Sequence, residues 1–155
     1  MKEIHPFEFA DYFCKKDCIV VCGSEKLKWN PITIGWKTLG VLWSKNIVTI
    51  AVHPSRYSYK MLNEGNGWFS VNFIESNHSE MLDICGSKSG KNTDKFQACN
   101  TQPEFIGTDR IPSIKEAELI YICKIIHTAE SGNITKHRLY FGEIYKVLAS
   151  ENLKK

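Results

Sequence analysis

Apolar residues along the chain cluster into short runs that are separated by polar turns. The run Cys18–Cys22 is apolar throughout and precedes Gly23, so it predicts a buried strand. Ile47–Val52 is rich in β-branched residues and predicts a second strand, which Pro54 ends. Trp68–Ile74 alternates between two faces and predicts a third strand.

The other apolar runs predict further strands and the turns between them. We expect a polar turn over 24–31, a weakly alternating strand over 32–36, a strand over 40–43 with a turn at 44–46, and two long strands over 117–128 and 135–148 joined by a turn at 130–133.

Short helices are predicted between the strands. Phe9 and Phe13 lie four residues apart, which is the spacing of one face of an amphipathic helix. A second helix is expected after the strand that Pro54 ends. Either Ser55 or Ser58 is placed to cap it, and Gly65 is placed to end it.

Two more helical segments follow in the middle of the chain. Asn77 and Glu80 resemble a capping box, and the helix that they start is expected to break at Gly86. A helical turn is expected through Phe96. Strands nevertheless dominate, at near-regular spacing and without a long strand–helix alternation. The pattern therefore predicts a mainly β fold, a mostly antiparallel barrel with short helices, in a single domain over 1–155.

Composition and charge exclude several classes of protein. Hydrophobic residues make up 43% of the chain, which is enough for a packed core and excludes intrinsic disorder. The formal net charge of +3 is too small for a protein that binds nucleic acid through a basic face. No apolar run exceeds five residues, whereas a membrane span needs about twenty. Because the first residues carry acids and form no signal peptide, we expect a cytoplasmic protein with neither a nucleic-acid nor a membrane partner.

The six cysteines predict neither a metal site nor a disulfide framework. No C-x-x-C pair occurs, and the five histidines are scattered. Cys14, Cys18 and Cys22 recur every four residues, but Cys18 and Cys22 fall in a predicted strand, where the three side chains diverge. We therefore expect buried, reduced thiols. A redox-active thiol at Cys85, beside a glycine-serine loop, is the weaker alternative.

A first candidate site is the segment 29–36. Asn30 and Thr33 lie in an apolar strand region that runs into Gly35 and Trp36. Glycine in a strand often marks the close approach of another backbone or of a flat ligand. The alternative is a bulge at a corner of the barrel.

A second candidate is the start of the helix after Pro54. Helix N-termini present unpaired N–H groups and bind phosphate. Arg56 could add a two-pronged contact and Ser58 a hydroxyl. An ordinary capped helix with a solvated arginine is the alternative.

A third candidate is the loop over 86–92, which combines small residues with Lys88 and Lys91. Such a loop can form an anion-binding nest. It is not a Walker A loop, because the glycine spacing is one residue short and Asn92 replaces the required Ser or Thr. The alternative is a mobile basic surface loop.

No catalytic constellation accompanies these segments. The sequence contains no Ser-His-Asp order, no paired-carboxylate motif and no H-E-x-x-H. If the protein is an enzyme, we expect a bound cofactor to supply the chemistry.

Taken together, four segments resemble a known family: NPITIGWKTLGVLW, HPSRYSYKMLNEG, FSVNF and CGSKSGKNTDKF. Their order and spacing resemble the flavin reductase-like, FMN-binding split-barrel family, in particular its flavoredoxin-like branch. The likeness covers about residues 18 to 145. It implies a Greek-key antiparallel split β-barrel with short peripheral helices, which forms a homodimer and binds FMN non-covalently near the dimer interface.

The resemblance also implies which residues contact the flavin. They are Asn30, Thr33 and Trp36 beside the isoalloxazine ring, Arg56 and Ser58 with Ser55 nearby around the phosphate, Ser89 and Lys91 reaching the same phosphate, and the late His137 approaching the flavin. Lys91 stands where relatives often have arginine, so it keeps the charge but not the two-pronged geometry.

Three functions are compatible with these expectations. The first is an NAD(P)H-dependent flavin reductase, an oxidoreductase in which a nicotinamide passes a hydride to the flavin. The second is a non-enzymatic, flavoredoxin-like electron carrier that works with a redox partner protein. The third is a binding module whose flavin site has decayed, for which alanine at Arg56 and at Lys91 would change nothing.

Overall fold

The computed structural model describes residues 1–155 and consists mainly of β-strands. In chain order the strands are β1 (Lys2–Glu3), β2 (Cys18–Ser24), β3 (Lys28–Ile34), β4 (Lys37–Leu42), β5 (Lys45–Val52), β6 (Trp68–Ile74), β7 (Pro103–Ile106), β8 (Ile111–Ile114), β9 (Ala117–Glu130) and β10 (Arg138–Ala149). The helices are α1 (Ala10–Lys15), α2 (Tyr57–Glu64), α3 (Glu80–Ser87) and α4 (Lys95–Ala98), and a 3₁₀ turn covers Ser76–His78.

One antiparallel sheet contains eight of the strands, in the order β3-β2-β6-β9-β10-β5-β4, with β1 paired to β10. The strands β7 and β8 form a separate small hairpin. The predicted mainly β, antiparallel fold with short helices is confirmed. No helix is long and apolar enough to cross a membrane.

The central strands are covered on both faces, which explains their unbroken apolar runs. Val20 and Cys22 of β2 point into the larger core, which the aromatic rings of Phe73 and Tyr121 help to fill. The neighbouring Val21 belongs to a second core on the other face. Side chains of α3, α4 and β8 complete this second core. Position 21 is thus as apolar as its neighbours because both faces of β2 exclude water.

Buried polar side chains fix the β7–β8 hairpin on the sheet. The Oγ atom of Ser70 donates to the carbonyl oxygen of Pro112 at 2.6 Å. The Oδ1 atom of Asn72 accepts from the backbone N–H of Ile114 at 3.1 Å. The predicted alternation of 68–74 is confirmed, and its polar face is the one that carries this hairpin.

The turn predicted over 24–31 is wrong in its second half, because β3 already begins at Lys28. Pro31 lies inside the strand, opposite Val21. The proline is tolerated because β3 is an edge strand, where its missing N–H breaks no ladder bond on the open side. The buried Asn30 is compatible with a strand because its side chain has a partner on α2.

Both predicted helix N-caps are wrong. The N-cap residue of α2 is Arg56, and its side chain makes no cap bond. Ser58 lies inside the helix instead. The capping box of Asn77 and Glu80 does not form, because a 3₁₀ turn precedes α3 and no side chain caps that helix.

Element boundaries differ modestly from the predicted ones. Helix α2 ends before Gly65 as expected, whereas α3 continues through Gly86 to Ser87. The first helix begins at Ala10 and buries Phe13. The turn at 44–46 is shifted to residues 43–44, β9 extends to residue 130, and β10 starts at residue 138 rather than 135. The hairpin β7–β8 and the short β1 were not predicted.

Candidate functional site

Three of the sequence segments meet where β3, α2 and the loop over 88–94 pack together. Nδ2 of Asn30 donates to Oγ of Ser58 at 2.7 Å, and both side chains are buried. Gly90 lies against this pair, and a Cβ there would overlap the side chains of Asn30 and Tyr57. Only glycine lets the loop backbone approach so closely. The structure therefore brings Asn30, Ser58 and the 89–91 loop together.

Arg56 is held by the last turn of α3. Its guanidinium donates to the carbonyl oxygen of Gly86 at 3.0 Å and to that of Cys85 at 3.5 Å. Carbonyl groups at a helix C-terminus lack partners in the helix and carry partial negative charge, so they orient a cation well. The guanidinium has five N–H groups, and these two contacts leave others for a ligand.

Lys95 is a further cation of the site, and the sequence reasoning missed it. Its side chain is only 3% exposed. Its Nζ atom donates to the carbonyl oxygens of Pro31 and Cys85, each at 2.9 Å. Burial lowers the pKa of Lys95 to about 8, and the nearby charge of Arg56 lowers it in the same direction. The only signal in the sequence was its place at the DKF end of the segment CGSKSGKNTDKF.

The positive charges of this region have no acidic partners. Arg56, Lys91 and Lys95 take part in none of the ion pairs of the structure. The nearest acid in the sequence, Asp94, caps α4 by accepting from the backbone N–H of Gln97 at 3.1 Å. The region therefore carries a net positive charge.

Two clefts open beside these residues. The larger, of about 970 Å³, is lined by Asn30, Tyr57, Gly90, Lys91 and Lys95 among others. The smaller, of about 300 Å³, is lined by several other predicted site residues: Thr33, Trp36, Arg56 and His137. Because residues 56 and 57 are consecutive at the start of α2 and line different clefts, this helix end borders both of them. Six of the nine predicted site residues thus line one cleft or the other, whereas Ser55, Ser58 and Ser89 line neither.

Aromatic rings form one wall of the smaller cleft. The ring of His137 lies 4.5 Å from that of Trp36 and 5.2 Å from that of His53, measured between centroids. Trp36 is 61% exposed, so a face of its indole is open to solvent. Burial lowers the pKa of His137, and His53 acts in the same direction. His137 is therefore neutral at neutral pH.

Several predicted hydroxyl groups already have partners within the protein. Oγ1 of Thr33 donates to the carbonyl oxygen of Leu82 at 2.6 Å. Oγ of Ser89 accepts from the backbone N–H of Lys91 at 3.2 Å, which shapes the loop. Ser55 is exposed, and its hydroxyl pairs with Nδ1 of His53 at 2.8 Å. Each of these hydroxyl groups is therefore engaged within the chain, and its first role is to hold the local structure.

The cysteines lie mostly in the cores. Cys18 and Cys22 are buried in β2 as predicted, and burial raises the pKa of each thiol to about 12. Burial also raises the pKa of Cys85 to about 12. The sulfur atoms of Cys85 and Cys99 lie 3.8 Å apart, a pairing that the sequence did not indicate.

Comparison with known proteins identifies the fold and the family. The sequence profile described as "Flavin reductase like domain" matches residues 16–155. The structure of a flavoredoxin from Methanosarcina acetivorans is similar, with 26% sequence identity, a TM-score of 0.76 and coverage of 90% of this chain and 70% of that one.

Two further solved structures resemble this fold at lower identity. An FMN-binding protein from Thermus thermophilus has a TM-score of 0.76 and 23% identity, over 90% of this chain and 72% of that one. A putative flavin reductase with a split barrel domain from Shewanella frigidimarina has a TM-score of 0.77 and 16% identity, over 96% and 76%. The predicted split-barrel architecture is confirmed.

Proposed function

The chain belongs to the flavin reductase-like family, and from this premise we propose that it binds FMN non-covalently and acts as an oxidoreductase that uses NADH or NADPH to reduce flavin. The premise gives the fold and the class of protein. The residues of the two clefts support the cofactor, since cations without acidic partners border both clefts and the smaller cleft has an aromatic wall.

The observation that carries the proposal is the group of cations without acidic partners around α2 and α3. The phosphate of FMN is close to a dianion at neutral pH, and charge-assisted hydrogen bonds to such an anion are strong. Arg56 and Lys91 would hold the phosphate, with the buried charge of Lys95 behind them. Ser58 and Ser89 would shape the backbone that surrounds it.

The smaller cleft fits the ring system of the same cofactor. The open face of Trp36 offers a stacking surface, and the end of β3 offers backbone groups to the polar edge of a flat ring. His137 would lie beside the ring as a neutral imidazole. When bound, FMN supplies the redox chemistry by accepting a hydride from a reduced nicotinamide. The protein then needs to bind and orient rather than to exchange protons.

A second candidate function is a non-enzymatic electron carrier that passes electrons to a redox partner protein. The similarity to a flavoredoxin at 26% identity favours it. The two candidates share the flavin site and differ only in whether a nicotinamide reaches the ring.

We also propose that the protein is a homodimer. Apolar side chains are exposed along β4 and its flanks, with Trp36, Val41 and Trp43 each more than half exposed. The ring of Trp43 packs on those of Phe141 and His127, 5.4 Å away in each case, so the patch continues onto β9 and β10. Trp36 also lines the smaller cleft, so a second copy seated here would cover the ring site.

The visible absorption spectrum of the purified protein tests the function directly. We expect a bound-flavin spectrum, either at once or after incubation with FMN, and rapid bleaching when NADH or NADPH is added without oxygen. Bleaching by a chemical reductant alone would favour the electron carrier. If no flavin binds after incubation with FMN, the proposal of an FMN protein is wrong and only the family's fold remains.

A further inference from the structure

The buried ammonium group of Lys95 is unusual because both of its partners are neutral. Its Nζ atom is held between Pro31 of β3 and Cys85 of α3, and each acceptor is a backbone carbonyl. A buried lysine ordinarily needs an anionic partner, since desolvation penalises its charge. The folded protein thus maintains a positive charge that nothing in the chain neutralises.

A second cation shares the carbonyl oxygen of Cys85 with Lys95. Arg56 donates to Cys85 at 3.5 Å, so Arg56 and Lys95 share one acceptor on the last turn of α3. Like charges this close disfavour one another, and the arginine cannot lose its proton. Of the two cations, only the lysine can therefore change its protonation state when a ligand binds.

The other titratable groups that face Lys95 are thiols. They are Cys22 of β2, Cys85 of α3 and Cys99 after α4. Burial raises the pKa of each, so all three are uncharged at neutral pH. Asp94, next to Lys95, is engaged in the cap of α4. No group of the chain holds Lys95 in its charged form as a carboxylate would.

We propose that Lys95 is a positioning residue for the phosphate site and that the bound anion balances its positive charge. Binding of a phosphate dianion beside Arg56 and Lys91 is then accompanied by uptake of a proton onto Lys95. The inference rests on the proposed FMN site and adds to it a coupling between cofactor binding and proton uptake. In the bound state Lys95 also fixes β3 to α3, which keeps Arg56 directed at the anion.

The direction of the pH dependence follows because proton binding by Lys95 and FMN binding are linked. The free protein has the lower pKa, at about 8, and a nearby anion raises it. Well below pH 8 the lysine is charged in both states and no proton is taken up. Between the two pKa values, affinity for FMN falls by up to about tenfold for each pH unit, which is the limit for one proton. The phosphate itself titrates near pH 6 and stays a dianion over this range.

Calorimetric titration of the full chain with FMN tests the coupling. The binding enthalpy at pH 8.5 is measured in two buffers of different ionisation enthalpy, which gives the number of protons taken up. We expect a substantial fraction of a proton for the wild type. We expect none for Lys95→Arg, which stays charged, and an affinity for that variant that no longer falls between pH 8 and 9.5.

Control variants separate this coupling from a structural role. Lys115→Met removes an exposed lysine that lines neither cleft and should keep the proton uptake of the wild type. Lys95→Met should bind FMN more weakly at pH 7.5 and without pH dependence, and thermal unfolding shows whether it folds. If it does not fold, Lys95→Arg alone decides the question.

The outcomes distinguish the coupling from the function. FMN binding to the wild type without proton uptake, or with uptake that persists in Lys95→Arg, overturns the inference and leaves the FMN site standing. Failure of the wild type to bind FMN at any pH overturns the proposed function, and the coupling with it.

Discussion

The cationic and the aromatic parts of the candidate site differ in how firmly other residues of the chain hold their side chains. In the cationic part, which borders both clefts, Arg56 and Lys95 are fixed by carbonyl groups of α3 and β3, and Asn30 is fixed by Ser58. At the aromatic end, Trp36 is largely exposed and His137 is held by a nearby hydroxyl group, that of Thr135.

In the proposed FMN site, one chain would therefore organise the phosphate end by itself, whereas the ring end would be completed by the second copy of the proposed dimer. Preorganised charges lose little freedom when a ligand binds, so they contribute most of the affinity. An open aromatic surface contributes less until water is excluded from it. The predictions below test this division of roles.

Arg56→Ala should give the largest effect on cofactor binding. Loss of charge-assisted contacts to the phosphate should cost about 1.5–3 kcal/mol, or roughly ten- to a hundredfold in FMN affinity. Titration with FMN, followed by flavin fluorescence, measures the change. Arg110→Ala is the matched control, because Arg110 lies on the surface in an exposed ion pair with Glu25 and should bind FMN normally. An unchanged affinity in Arg56→Ala would remove the phosphate assignment.

Trp43→Asp should weaken self-association if the apolar face around β4 is the dimer interface. Placing a charge beside Phe141 and His127 should raise the dimer dissociation constant by about tenfold or more. Sedimentation velocity over a range of protein concentrations measures it. Tyr145→Asp, at another exposed aromatic residue, serves as the control. A wild-type protein that is monomeric with flavin bound would contradict the proposal that a second copy covers the ring site.

Trp36→Ala should have a smaller effect on affinity than Arg56→Ala. Loss of one stacking surface costs about 0.5–1.5 kcal/mol, or roughly two- to tenfold. The shape of the bound-flavin absorption bands should change as well, because the ring loses its neighbour. A loss as large as that of Arg56→Ala would show that the ring end, and not the phosphate end, dominates binding.

His137 should give the smallest effect, and it concerns pH. Because its pKa is lowered in the folded protein, the unfolded chain binds more protons at mildly acidic pH. The free energy of unfolding should therefore decline as pH falls below about 6.5, where histidine in the unfolded chain becomes charged. Urea unfolding at pH 7.5 and 5.5 should show a smaller decline for His137→Gln than for the wild type. Equal declines would mean that this imidazole is not the group responsible.

The sequence predicted those strands that a core surrounds. β2, β5 and β6 are short apolar or alternating runs, a pattern that fits a strand better than a helix or a loop. Their order in the chain is typical of an antiparallel barrel. The β7–β8 hairpin was missed because its strands are four residues long and each contains a proline. The first half of β3 was missed because its polar residues resemble a turn.

The site residues, like the strands, could be predicted only where a local sequence pattern indicates them. Arg56, Ser58 and the 86–92 loop could be predicted as candidates because local patterns indicate helix ends and anion nests. Lys95 was not, because its acceptors lie ten and 64 residues away in sequence and only tertiary packing brings them together. A buried lysine held by carbonyl groups leaves no periodic signal, and lysine is ordinarily read as a surface residue.

The position of β10 in the sheet bears on how the chain folds. This last strand lies between β9 and β5, and it also pairs with β1, where Glu3 faces Leu148. Without it the sheet separates into β3-β2-β6-β9 on one side and β5-β4 on the other. During synthesis the two halves therefore have to wait for residues 138–149 before the barrel closes. Pairing over such sequence distances is slow, and the open strand edges are exposed to aggregation until it is complete.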